Sequence, residues 1–474
     1  MKRLSGRLRY FVLGIAWGWT SLVIAQNQTA SVSPILSSNA VPFRIQIDQA
    51  GFSLPSALQS YVLGTHGGKW LLLAGRINGL HDFSNNSSNF PANTQNTTIF
   101  VVDPNLQTVS TRSLTNSGSG LTQAQIDLLS VTAAQSYQSG NTLYMSGGFG
   151  IESSTSNFTT KAALTAIDVP GLMHWVTGPS TNETAAQHIR QIFDPIFQVT
   201  GGVMIEARPH HALLVFGQDF EGANITSDGT YTMQVRRFRI LDNGTSLSFV
   251  AQKPVPRPPD SNYRRANLNV VPIIERGRKG FVAFSGAFTE SFGIWTVPVE
   301  IKRNGTATMA NPSAADTFKQ GMNNWTCPTL ELYSRKEHNS YTVLMGGISF
   351  GFFVGSAFQT DPELPFINQV TAIKGDRDGV FSQCLINSEY PVIPSTGSNP
   401  GNPLLFGAEA TLIPADGLPT YSNGVLRYDT LGSDPIVVGY IVGGIQSTVP
   451  NTNTSADSAA SPYIFTVTLI PTHP

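Results

Sequence analysis

"LYMSGGFG", residues 143–150, is the stretch on which the fold turns. Leu143 to Ser146 has strand-forming character, and the run stops at Gly147-Gly148, where the backbone can take angles that a Cβ disfavours. The same pattern returns as "WLLLAGR" (70–76), "LLVFGQD" (213–219), "FVAFSGAF" (281–288), "YTVLMGGIS" (341–349) and "VVGYIVGGIQ" (437–446). The stops, at Gly75, Gly147, Gly217, Gly286, Gly346 and Gly443, lie about 70 residues apart, once shorter and once longer, where loops would be trimmed or extended. Six copies at one period are an internal repeat.

Outward from each stop the pattern stays β-like. Strand-type runs precede it, such as "SYVLGTHG" (60–67), "VTGGVMIEARP" (199–209) and "LNVVPIIERG" (268–277). Two more follow it, "TTIFVVDP" then "TVSTRSL" in the first copy and "YTMQVRRFRI" then "SLSFVAQKPV" in the third. Four short strands per unit joined by tight turns describe one blade of a β-propeller. "TAAQHIRQIF" (184–193) reads as a short, isolated helix. The last unit supplies only three strands, ending in "YIFTVTLI" (463–470), while "PFRIQID" (42–48) is a strand without a unit. Pairing the two removes two open sheet edges. The expectation is an all-β, six-bladed β-propeller of four-stranded antiparallel blades over residues 40–474, closed by the N-terminal strand. A solenoid or a sandwich is the competing arrangement.

Composition agrees. Charged residues are 12% of 474, with Gly 44 and Pro 30, a turn-rich rather than helical profile. A net charge of -1 leaves no basic footprint, so nucleic acid is not an expected partner. Lys2, Arg3, Arg7 and Arg9 precede an apolar stretch from Tyr10 to Ala25, with small residues before Gln26. That is the pattern of a signal peptide over 1–25, followed by a flexible leader over 26–39; a retained membrane anchor is the alternative, short for a span. The expected product is secreted or periplasmic, monomeric, and without a membrane span after cleavage. Asn-X-Ser/Thr triplets begin at Asn27, Asn85, Asn86, Asn96, Asn157, Asn182, Asn224, Asn243, Asn304, Asn324 and Asn453, which makes the chain a candidate glycoprotein in a eukaryotic secretory pathway.

The strand-then-glycine stops "LYMSGGFG", "LMGGIS" and "YIVGGIQ" resemble the kelch repeat, whose members are β-propellers. "GKWLLLAGRINGLH", "DPIFQVTGGVM", "NVVPIIERGRKGFVAFSGAF" and "YIVGGIQS" together are similar to exported kelch-like proteins of unassigned activity. Three of the six copies depart from the repeat in having one glycine where it has two.

In such a blade the first strand lines the channel, so the loop after the second strand opens on the same face as the loop between blades. The segments 76–98, 149–161, 218–230 and 348–367 are long and polar, and binding concentrates on such loops. Arg76, His81 and Asp82 fall there, with Asp219, Glu221 and Glu290 from later blades and Arg264 and Arg265 nearby. Guanidinium groups among carboxylates suit a carboxylate- or hydroxyl-rich ligand; the competing reading is that they tie neighbouring blades together.

Metal and cofactor patterns are missing. His210 and His211 are adjacent on a strand and point apart, and no metal-ligand spacing or G-x-S-x-G elbow occurs. Cys327 and Cys384 fall on the first and fourth strands of one blade, roughly 14 Å apart, too far for a disulfide. The pattern names no catalytic residue, metal or cofactor. It fits a binding module for a protein or carbohydrate ligand on the long-loop face. The alternative is a carbohydrate-active hydrolase or lyase using two of Asp82, Asp219, Glu221 and Glu290 at the channel mouth, and a purely structural surface protein comes third.

Overall fold

Val62–His66, Lys69–Leu73, Thr98–Asp103 and Thr108–Ser113 pair in chain order as an antiparallel meander. The unit repeats over Gln135–Ser139, Thr142–Ser146, Ala163–Asp168 and Ile189–Phe193, then over Val203–Arg208, His211–Val215, Val235–Asp242 and Leu247–Val255. Asn269–Glu275, Arg278–Phe284, Val299–Ile301 and Ala307–Met309 form the fourth sheet. In the fifth, Thr329–Ser334, Asn339–Ile348, Phe366–Gly375 and Phe381–Glu389 pair the same way. The last sheet holds Thr411–Pro414, Ile436–Val442, Tyr463–Pro471 and, as its outermost strand, Phe43–Ser53. These are features of a computed structural model that describes residues 32–81, 89–179, 183–222, 229–290, 293–452 and 456–472. The segment 1–31 and Asp82 lie outside the described residues.

The molecule is an all-β propeller. Its blades are four-stranded antiparallel sheets, and an apolar layer lies between successive ones. Leu143 and Leu71 meet between the first two sheets, Leu164 and Leu214 between the second and third, and Leu213 and Ala283 between the third and fourth. Val282 and Leu344 follow, then Tyr341 and Phe465. Another layer sets Trp70 and Phe100 of the first sheet against Ile413 and Ile464 of the last.

Purely four-stranded sheets number five rather than the expected six. The fifth sheet has six strands, because Ile35–Leu36 and Leu426–Arg427 add parallel pairs at its outer and inner edges. Leu426 comes from the 21-residue connection between the first two strands of the last sheet, where a tight turn was the expectation. Ile35 corrects the flexible leader as well. Residues 32–40 are docked, with Ser33 N–H on the Lys319 carbonyl at 2.9 Å and Ile35 opposite Gln383.

The glycine stops have one geometry. Each consists of two successive residues with positive φ: Ala74-Gly75, Gly147-Gly148, Phe216-Gly217, Ser285-Gly286, Gly346-Gly347 and Gly443-Gly444. The first takes φ of 55–67°, an angle Ala, Phe and Ser reach at a cost. The second takes 82–113° and is glycine every time. This resolves the departure from the double-glycine pattern, since only the second position excludes a side chain. At Gly75 a Cβ would stand 2.3 Å from the Gln59 carbonyl oxygen. The second glycine also clips blades together. Gly75 N–H donates to Val131 O in the next unit at 2.7 Å, Gly148 to Val199, Gly217 to Arg265, Gly347 to Phe406 and Gly444 to Leu58.

The segment 184–193 is not a helix. Ala185–His188 is a single 3-10 turn and Ile189–Phe193 is the outer strand of the second sheet. The α-helices of the described residues are Gln123–Leu129 and Val169–Thr177. The second starts with Pro170 in its first turn and buries Leu172, Met173, Trp175 and Val176 against the first two sheets. Both cysteines are free and buried; Cys384 is on Phe381–Glu389 as expected, whereas Cys327 lies two residues ahead of Thr329–Ser334 rather than on it.

Candidate functional site

Just ahead of the first strand of every unit stands a residue in the left-handed region: Ser60, Ala133, Gly201, Asn267, Thr326 and Glu409, with φ between 39 and 64°. They form a collar. Ser60 N–H donates to Glu409 O at 3.3 Å, Ala133 to Ser60 O at 3.3 Å and Gly201 to Ala133 O at 3.3 Å. Asn267 donates to Gly201 O at 2.7 Å and Glu409 to Thr326 O at 2.9 Å. The residue before each collar position bonds the chain just past a glycine stop. Gln59 exchanges both bonds with Arg76, Thr132 with Phe149 and Thr200 with Gln218, all at 2.8–2.9 Å. Stop and collar therefore open on one face, as blade geometry requires.

Inside the collar is a cavity of about 210 Å³, lined at all six first-strand approaches, with Ser60, Asn267, Thr326 and Glu409 among its polar groups. The Glu409 carboxyl lies between two hydroxyls: Ser60 Oγ is 2.7 Å from its Oε2, and Thr326 also bonds it. Burial raises its pKa above the usual carboxylate range, against the lowering effect of those hydroxyls. On the innermost strand of the fifth sheet, burial pushes Glu331 up to about 7, and its Oε1 is buried without a hydrogen bond. No residue type marks the collar, so neither acid was legible from the repeat.

The predicted residues divide. Arg76 is 3% exposed, bonds Asn78 Oδ1 at 2.9 Å and Thr94 Oγ1 at 2.5 Å, and lies over the Phe90 ring at 4.9 Å. Burial lowers its pKa to about 10. Arg265 is fully buried, donates to the Ser285 and Val297 carbonyls at 3.0 and 2.9 Å, and lies 4.5 Å from the Trp295 ring centre. Burial brings it down to about 9. It fills the slot that Leu58, Val131, Val199 and Phe406 occupy at the other clips. Arg264 holds the Phe288 and Thr289 carbonyls and lies 3.9 Å from the Tyr231 ring centre. These three arginines serve the scaffold, and their guanidinium groups are not displayed as an anion clamp. Asp219 accepts from Gln198 at 3.0 Å, while Glu221 and Glu290 are exposed on loops of different sheets.

His81 belongs to something the sequence did not mark. Its ring is 4.9 Å from Phe90, Phe90 is 5.1 Å from Phe149, and Phe149 is 5.2 Å from Phe220 and 5.9 Å from Phe158. Loops of three successive sheets thus share one aromatic run on the long-loop face. Phe90 and Phe149 are buried; His81, Phe158 and Phe220 are part-exposed. The hairpins Phe149–Glu152/Asn157–Thr160 and Gln218–Asp219/Thr230–Tyr231 carry it, bridged at Thr159 and Glu221.

No protein-family model matches the chain, and no curated protein matches it. Among solved structures, one titled "Structure of YjhT" is similar over 86% of this chain and 95% of that chain, with 11% identity and a TM-score of 0.44. Among the described residues no helix is long and apolar enough to cross a membrane.

Proposed function

We propose that the protein is an exported, kelch-like, six-bladed propeller that acts as a binding module, holding a protein or carbohydrate ligand on its long-loop face. The observation that carries this reading is the aromatic run from His81 to Phe220. Its part-exposed rings, His81, Phe158 and Phe220, backed by the buried Phe90 and Phe149, suit stacking on the C–H faces of sugars or on apolar side chains. Counting the six-stranded sheet as a blade gives six. The pairing of Phe43–Ser53 with Tyr463–Pro471 and the apolar layer between the last sheet and the first support closure. Export rests on the charged-then-apolar start of the chain, and secreted material should begin at Gln26.

A glycan array and a pull-down with the purified protein test the function, alongside Phe158→Ala and Phe220→Ala. Expected is binding in one of the two formats, lost at least ten-fold in the double variant while the fold is retained. Turnover of a polysaccharide with no binding in either format would sink the reading. The hydrolase alternative is the less favoured reading, because Asp219 accepts from Gln198 while Glu221 and Glu290 are exposed on loops of different sheets.

A further inference from the structure

The geometry points to an oxyanion site between the third and fourth sheets, on the face opposite the long loops: a sulfate or phosphate group, free or carried on a larger molecule, held by Arg208, His211, Arg239 and Arg303.

Three of the four form a row. Arg208 stands opposite His211, and His211 opposite Arg239, on the first three strands of the third sheet. Residues so paired project from one face, on strands about 4.8 Å apart. Two positions along, Leu213 and Arg237 show which face it is. Leu213 packs with Ala283 of the fourth sheet, and Arg237 Nη1 donates to Asn304 O at 2.7 Å. The turn that carries Asn304 also brings Arg303 to the row, where its Nε donates to the Ala207 carbonyl at 2.7 Å. That bond uses one edge of the guanidinium and leaves its Nη groups for a ligand.

Positive charge gathers here without a counter-charge. Arg208, Arg239 and Arg303 are exposed and His211 is part-exposed. Among the described residues none of the four is ion-paired. The carboxylates of the same sheets are engaged elsewhere. Glu206 accepts from Ser139 Oγ and the His210 N–H, Asp242 is held by Arg190, and Glu300 lies in the field of Glu275, Arg276 and Lys302. His211 registers the crowding: burial first, then Arg208, Arg239 and His210, lower its pKa, and no carboxylate opposes them. The chain's net charge of -1 conceals the patch.

The donor set selects the ligand. Each guanidinium presents a planar fork that matches two oxygens of one anion. A carboxylate has two oxygens and one charge, enough for one fork. Sulfate and phosphate groups carry more oxygens and up to two charges, so several forks and an imidazole can share one of them.

Calorimetry of the full chain with sodium sulfate, sodium phosphate, dextran sulfate and vesicles of phosphatidic acid in phosphatidylcholine separates the sources. Polygalacturonate is the carboxylate-only comparison. Expected is saturable binding of at least one sulfate or phosphate probe, weakened at least ten-fold in Arg239→Gln/Arg303→Gln. Arg335→Gln/Lys336→Gln, which removes the same charge from an exposed turn of the fifth sheet, should leave binding unchanged. On saturation the His211 pKa, followed by NMR, should rise by about one unit, a ten-fold gain in proton affinity. By linkage, affinity then falls as pH rises through that pKa. Binding that survives the double variant, equal or tighter binding of polygalacturonate, no binding of any sulfate or phosphate probe, or a His211 pKa unmoved by bound ligand would each overturn the site. Should Arg303→Gln free the Ala207 carbonyl and unfold the turn, the exposed Arg239→Gln alone decides it.

Discussion

Asp48 and Thr466 stand opposite each other across the antiparallel pair that joins the first long strand to the last. Cα atoms so placed are about 4.5–5.5 Å apart, within reach of a disulfide. The double variant Asp48→Cys/Thr466→Cys should therefore cross-link under mild oxidation and gain about 2–4 kcal/mol of stability by the chain-entropy account. Non-reducing electrophoresis and denaturant unfolding measure both effects. The buried native thiols, Cys327 and Cys384, should stay reduced.

The paired positive-φ stops give two substitutions of opposite sign. Gly75→Ala puts a Cβ 2.3 Å from Gln59 O and should cost several kcal/mol. Ser285 takes φ 58° and is fully buried with its hydroxyl unpartnered. Ser285→Gly relieves both penalties and should stabilise by about 1 kcal/mol. Thermal unfolding of the two variants separates a backbone requirement from a packing one.

Glu331 should make the fold more stable in mild acid. Its folded pKa of about 7 lies above the ordinary 4.5. The associated stability is present below the unfolded pKa and is lost as pH rises through the folded one. At about 1.4 kcal/mol per pH unit the loss amounts to on the order of 3 kcal/mol. Glu331→Gln should match wild type near pH 4 and exceed it by up to that amount at pH 8, measured by denaturant titration at both pH values.

Asp242 has the opposite sign. Burial opposes its ionisation, but Arg190 at 2.8 Å, the Gly244 N–H and the Tyr144 hydroxyl outweigh burial and hold the pKa below the usual range. That stability is present above the unfolded carboxylate pKa and is lost as pH falls through the folded one. Asp242→Asn strands the Arg190 guanidinium between the second and third sheets and should cost about 3–5 kcal/mol at pH 7. The gap should narrow on acidification, which pH-dependent unfolding of both proteins checks.

Glycan occupancy should follow exposure. Asn96 is 2% exposed and Asn324 fully buried, and their Nδ2 atoms donate to the Ala74 and Gly346 carbonyls. Asn157, Asn243 and Asn304 are exposed. Expression in a glycosylating secretory host should give occupancy at those three and none at Asn96 or Asn324, as read by glycopeptide mass spectrometry.

The repeat was legible because the second stop glycine has no substitute: Gly75, Gly148 and Gly217 take the same positive-φ conformation in sequences that otherwise differ. The seam between Phe43–Ser53 and Tyr463–Pro471, as a strand pairing, was legible through an unpaired strand at each end. The collar was not. Ser60, Ala133, Gly201, Asn267, Thr326 and Glu409 share a backbone angle and no chemistry, so nothing in their side chains announces a ring. The arginines misled for a related reason. Arg265 occupies a slot filled by Leu58 and Val131 elsewhere, and its charge in sequence says nothing about carbonyls that arrive from Ser285 and Val297.

Phe43–Ser53 belongs to the last sheet, yet Ile35–Leu36 just before it adds to the outer edge of the fifth. The start of the described chain is thus stitched across two adjacent blades. A tug on that terminus must first undo two parallel pairs, Ile35 with Gln383 and Leu36 with Cys384, before any load reaches the seam. The propeller therefore has a sacrificial fastening: it can loosen at its beginning while the pairing of Phe43–Ser53 with Tyr463–Pro471 stays intact.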